Sequence, residues 1–199
     1  MKFLSYFSVL LLFTTCTNRS TVIEGALPSD RYDKQVVYWV PMEGASSKTV
    51  DSTHIKKNSF RLVISAHNQN KLGIIRVRPQ FRLALQEVVV FTEVGTVQVK
   101  LDSISSSSGT PFNEVIQYWK DRRMAFNRQC RSFNQRSKIA DANEASEIQR
   151  EFEKADSTYH SDIFQLIDKN KDNAVGKFIY SRYKSFFTEE QKEELKMNN

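Results

Sequence analysis

Thr96-Val97-Gln98-Val99-Lys100-Leu101-Asp102-Ser103-Ile104-Ser105-Ser106-Ser107-Ser108-Gly109-Thr110-Pro111-Phe112 divides the chain into two kinds of sequence. On its N-terminal side, Val97, Val99 and Leu101 alternate with Gln98 and Lys100, the period of two that sets one face of a strand against a core. On its C-terminal side, Pro111 stands where a helix can begin, because the first N–H of a helix has no intrahelical partner in any case. Between them the composition shifts once, and the serine run closed by Gly109 reads as a linker over residues 105–110.

Upstream, short runs rich in Val, Ile, Thr and Phe are separated by turn-forming residues, which predicts strands at 21–24, 35–41, 49–55, 59–66, 73–78, 83–91 and 96–101. In the fourth of these, Phe60, Leu62 and Ile64 share one face opposite Arg61 and Val63. Residues 56–58 and 93–95 are natural hairpin turns. Seven short strands at this spacing, taken as antiparallel, predict a sandwich or a partly open barrel.

Downstream the period changes. Phe112, Val115, Trp119, Phe126, Cys130 and Phe133 recur in steps of three, four or seven, which lays them along one helical stripe. A second helix from about Asn143 repeats the rhythm with Ile148, Phe152, Ala155, Tyr159, Ile163 and Leu166. Two amphipathic helices joined by a short polar segment predict an antiparallel hairpin. A third helix is expected at about 174–187, and Thr188 with Gln191 fits a capping box opening a short last one. The fold class is therefore α+β: a β-rich domain over 16–104, the linker, and a helical region over 111–199 made of a hairpin plus short helices.

The N-terminus bears on location. Lys2 is followed by a run from Phe3 to Phe13 that is apolar apart from Ser5 and Ser8, too short for the ~20 residues a spanning helix needs. Thr14 and Thr15 then lead into Cys16. This order predicts a signal peptide over 1–15 and lipid attachment at Cys16; the plainer alternative is a cleaved signal with an incidental cysteine. Several acyl chains tether a protein firmly, at ~0.8 kcal/mol per buried CH₂. With Cys16 lipidated, Cys130 has no partner for a disulfide, no CxxC exists, and the apolar stripe predicts Cys130 to be a buried, inert thiol.

The formal charge of +6 falls by one when Lys2 is removed, and the basic residues are dispersed. That pattern reads as a solvated surface and gives no nucleic-acid partner. Asp168-Lys169-Asn170-Lys171-Asp172 imitates the first half of a calcium loop, yet Asn173 and Ile179 stand where Gly and a bidentate Glu belong. It reads as a polar turn in which Asp172 or Asn173 caps the next helix. His54, His67 and His160 lie in separate segments without metal-ligand spacing. In Asp51-Ser52-Thr53-His54, Ser52 and His54 share a strand face that Asp51 does not, so no nucleophile–base–orienter set forms locally. No catalytic residue, metal or cofactor is expected. Aromatic residues at core periodicity are expected in the core, with Tyr38 and Tyr118 kept as ligand-stacking candidates because Trp39 and Trp119 take the apolar face.

Ile23-Glu24-Gly25, Val37-Tyr38-Trp39-Val40-Pro41, Val50-Asp51-Ser52-Thr53 with Phe60, Ser108-Gly109-Thr110-Pro111-Phe112-Asn113, Asp172-Asn173-Ala174-Val175-Gly176 and Phe187-Thr188-Glu189-Glu190-Gln191 occur in an order that resembles one group. That group is the Bacteroidetes lipoproteins with an uncharacterised N-terminal domain (domain of unknown function 4369). In longer relatives this domain precedes a thioredoxin-like module related to TlpA and ResA. The resemblance implies a β-rich domain in an exported, lipid-anchored protein, with no catalytic position to carry over because the CxxC module has no counterpart here. The functional expectation is a non-catalytic binding or scaffold protein on the periplasmic side of the outer membrane, held by lipid on Cys16. Its expected partner is an envelope protein such as a separate thioredoxin-like oxidoreductase. The alternative is capture of a small ligand, a glycan or peptide.

Overall fold

A computed structural model describes residues 20–77 and 84–196; the expected signal peptide and Cys16 lie outside the described residues. Among the described residues eight strands precede four helices: β1 (Thr21–Ala26), β2 (Val36–Pro41), β3 (Asp51–His54), β4 (Ser59–Val63), β5 (Leu72–Val77), β6 (Val88–Phe91), β7 (Gly95–Lys100) and β8 (Ser106–Ser108). They form two four-stranded sheets, ordered β4-β1-β7-β8 and β3-β2-β5-β6, so the sandwich and not the barrel is the architecture. The alternation read from the sequence sets the inner faces. Phe60 and Leu62 of β4, Val97 and Val99 of β7, Val37 and Trp39 of β2 and Ile75 of β5 meet in one core with Ile23 and Ile55.

The turn between β3 and β4 holds Lys57 and Asn58 at φ 50° and 58°, the left-handed conformation of a tight hairpin turn. The Asp33 carboxylate accepts both of their N–H groups, at 2.9 and 3.0 Å, and so pins that turn.

Three features differ from the sequence reading. The turns expected to close hairpins at 56–58 and 93–95 instead pass between the sheets, because β3 and β4, like β6 and β7, belong to different ones, and only the single Lys56–Ser59 bridge forms at the first. β1 pairs in parallel with β7, with Ile23 opposite Val97, although its other neighbour β4 is antiparallel. The serine run expected as a linker is β8, an edge strand paired with β7 from Ser106 to Ser108.

The helices are α1 (Pro111–Ser137), α2 (Ala142–Asp168), α3 (Ala174–Tyr183) and α4 (Glu189–Leu195). Asp141 caps α2 by accepting from Asn143 and Glu144, Asn173 caps α3, and Thr188 with Gln191 forms the capping box of α4. Nothing in this region has the length and hydrophobicity of a membrane-crossing helix among the described residues.

The N-terminal part of α1 closes the sandwich where the edge strands β6 and β8 approach each other. The Asn113 carboxamide accepts the Phe91 N–H at 3.0 Å and donates to the Phe91 carbonyl at 2.8 Å, as a neighbouring strand would. One turn on, Gln117 Oε1 accepts the Ser107 N–H of β8 at 3.0 Å. Two amides four residues apart therefore occupy the hydrogen-bonding edges of both sheets, which otherwise invite pairing with another chain. Behind them a second core forms from Ile116, Trp119, Ile163, Ile167, Ile179 and Leu195, to which the sandwich contributes Phe91, with Leu72 and Val89 packed against it.

Beyond that core the hairpin continues as a two-helix arm. Between Asp121 and Thr158 only Ile148 is buried. Phe126 stacks on Tyr159 at 4.2 Å and Phe133 meets Phe152 edge-on at 5.9 Å. Phe126, Phe133 and Phe152 nevertheless remain half-buried, because two helices share only one seam.

Candidate functional site

The residues singled out from the sequence do not converge. Tyr38 is half-buried on the outer face of β2, opposite Ser52 and Arg76, while Tyr118 is 49% exposed on α1. Their neighbours Trp39 and Trp119 are the buried ones, as the alternation required. Asp51 turns inward and accepts from the Ser65 N–H at 3.1 Å and from Asn68 Nδ2 at 2.9 Å, a loop-fixing role, whereas Ser52 and His54 face solvent. In the calcium-like segment, Asp168 pairs with Lys171 at 2.8 Å, Asn170 donates to the Leu166 carbonyl, and Asn173 caps α3. Among the described residues no group of three or more His, Cys, Asp or Glu side chains is placed to hold a metal.

Cys130 corrects the expectation of a buried thiol. It lies on the stripe, yet it sits in the arm beyond the second core, is half-exposed and is unpaired. What covering it has raises its pKa above the ordinary thiol value, and the nearby Asp156 carboxylate adds to the rise. The thiol is therefore protonated near neutral pH and poorly nucleophilic. Tyr159 is held above the ordinary phenol range by burial first and by its hydrogen bond with the Tyr183 hydroxyl. That hydroxyl also accepts from Trp119 Nε1 at 3.2 Å, so this group is a buried structural network.

Side chains do converge in a cleft of about 720 Å³ between the sandwich and α3. Its two walls are the ends of β2 and β5 and one face of the helix. Ala174, Lys177, Phe178, Ser181 and Arg182 recur at helical spacing and face Pro41, Glu43, Lys71 and Leu72. The sandwich wall is fixed: the Met42 N–H bonds the Leu72 carbonyl at 3.0 Å, and Thr92 Oγ1 accepts the Lys71 N–H at 2.9 Å. On the other wall the Arg182 guanidinium lies over the Phe178 ring, 5.1 Å from its centroid.

The cleft pairs an apolar floor of Pro41, Leu72 and Phe178 with a rim of Lys71, Lys177 and Arg182, and among the described residues Glu43 is its one carboxylate. None of the three cations has a salt-bridge partner among the described residues, which they share with other exposed cations such as Arg128 and Arg131. Such a site can take an extended segment that presents both a carboxylate and an apolar side chain. The cleft as a whole is not visible in the sequence, because its walls come from residues 41–44, 70–72 and 174–182. The regular spacing of Lys177, Phe178, Ser181 and Arg182 was the only local trace.

Residues 21–116 match the model of a family described as a domain of unknown function, number 4369. Those residues belong to that family. The matched span runs through all eight strands and into α1 as far as Ile116, so the family domain includes Asn113 and its grip on β6. The arm and the α3 wall of the cleft lie beyond it. No curated protein and no solved structure matches the chain.

Proposed function

We propose that this is a non-catalytic binding or scaffold protein of the bacterial cell envelope. It is tethered by lipid on Cys16 to the periplasmic side of the outer membrane and holds an extended, acidic segment of an envelope protein in the cleft between sandwich and α3. A separate thioredoxin-like oxidoreductase is a partner of this kind. The single observation that supports the reading is the cleft, where an apolar floor is bordered by three cations without salt-bridge partners. The volume of about 720 Å³ also lies in the range of small-ligand sites, ~300–1,000 Å³, so capture of a small acidic peptide is the second reading.

Chemical cross-linking of the protein in its native envelope tests the proposal, with Cys16→Ala and the pair Lys177→Glu and Arg182→Glu as comparisons. The reading expects a discrete protein adduct with the native sequence, reduced in both variants. A complete set of adducts unchanged by the cleft substitutions would sink it, as would turnover of a substrate by the purified protein alone. Tyr38→Ala separates the sequence-based ligand site from the cleft, because only the former loses binding with it.

A further inference from the structure

The arm is an unfinished bundle. Its distal part buries one residue, leaves Phe126, Phe133 and Phe152 half-covered, and carries Ile139 at 87% exposure near its tip. Paired helices reach the density of a core when further helices close the open faces of their seam. One such face holds a groove of about 350 Å³, floored by Ala125, Phe126 and Ala155 and edged by Arg122, Glu151 and Lys154. The alanines leave room for another helix axis to approach closely.

Charge determines what fits there. α1 carries six basic and two acidic side chains, and α2 carries seven acidic and two basic ones. Arg122–Asp162 and Arg136–Glu151 join the two helices within one arm. Glu147 and Glu144, one and two turns from Glu151 along the same side of α2, make no ion pair among the described residues, and neither does Arg128 of α1. An occupant must therefore present an acidic helix to α1 and, beside it, a basic helix to α2.

We propose that the occupant is the arm of a second copy of this chain, and that the two arms form a four-helix bundle about a twofold axis parallel to the helices. In that arrangement α1, α2, α1 and α2 alternate around the bundle. Every neighbouring pair is antiparallel and oppositely charged, and like-charged helices lie on the diagonals. The other twofold arrangement, with α1 against α1, sets basic against basic and is disfavoured. The selected arrangement leaves both β domains at the same end of the bundle.

The test is the mass of the full-length protein in detergent, measured by analytical ultracentrifugation across a concentration series. A dimer at micromolar concentration is expected. Raising salt should weaken it, because exposed charges are screened. Ala125→Glu fills the groove and sets an acid against the acidic α2 of the partner, which should weaken the dimer at least about tenfold while leaving helix content by circular dichroism unchanged. A native protein that stays monomeric up to about 100 μM, or a dimer that Ala125→Glu and salt both leave intact, would overturn the proposal. A monomer whose arm cross-links to a different protein in the envelope would overturn it in favour of that protein.

Discussion

Asn113→Ala should loosen the sandwich from the helical region. In the native fold the Asn113 side chain is fully buried and makes three hydrogen bonds, two to the Phe91 backbone and one to Thr110 Oγ1 at 2.8 Å. Alanine leaves the Phe91 N–H and carbonyl without partners on a strand edge closed to water, and each buried orphan costs about 1–3 kcal/mol. The expected loss is about 3–5 kcal/mol, above the ~1 kcal/mol typical of a single substitution. Urea unfolding measures it. Trp39 lies in the sandwich core and Trp119 in the helical core, so variants retaining one tryptophan follow each half separately. The two transitions should coincide with Asn113 present and separate in Asn113→Ala, the sandwich outlasting the helices or the reverse. A loss below about 1 kcal/mol, with coincident transitions, would refute the view that this amide joins the two cores.

Other consequences can be read at single residues. A Cβ at Gly25 would overlap the Phe60 ring, so Gly25→Ala should cost about 1–3 kcal/mol in thermal or urea unfolding; an unchanged midpoint would mean the ring is free to move. Cys130 should react with iodoacetamide more slowly than a free thiol. Because its folded pKa is raised, its contribution to stability is present below the ordinary thiol value and disappears as pH climbs through the raised one; alkylation at the free-thiol rate would contradict this. For Glu151 the sign reverses. Its hydrogen bond with Arg136 lowers its pKa, so its contribution is present above the ordinary carboxylate value and declines as pH drops through the lowered one. Both side chains are well exposed, so the effect is small, and a carboxyl-carbon NMR titration that returns an ordinary pKa would remove it.

What was legible in the sequence was whatever is local. Alternation located the inner faces of β4 and β7, and the capping signals at Asn173 and Thr188 set the starts of α3 and α4. β8 escaped because three serines have no apolar alternation; they form a strand only because β7 and the Gln117 amide satisfy their backbone. The parallel pairing of β1 with β7 joins residues 21–26 to 95–100, a partnership that no window of sequence contains. Cys130 was misjudged for a related reason. Stripe position says which way a side chain faces, but burial also requires a second layer, and along the arm that layer is missing. Tyr38 and Tyr118 lie off the apolar faces as expected, the first half-buried and the second exposed, yet such a ring is not a site by itself. The cleft arises from three distant segments, so its cations are identifiable only after folding.

The central claim is that the cleft is where this protein holds its partner. The most direct measurement places a photo-cross-linking amino acid at Ser181, on the exposed α3 wall, and irradiates the protein in its native envelope. The account predicts a discrete adduct whose cross-linked peptide is acidic, and its loss when Arg182→Glu is added. If Ser181 yields no adduct while the same probe at Tyr118 or Ile139 captures a protein, binding takes place elsewhere on the molecule and the claim is wrong.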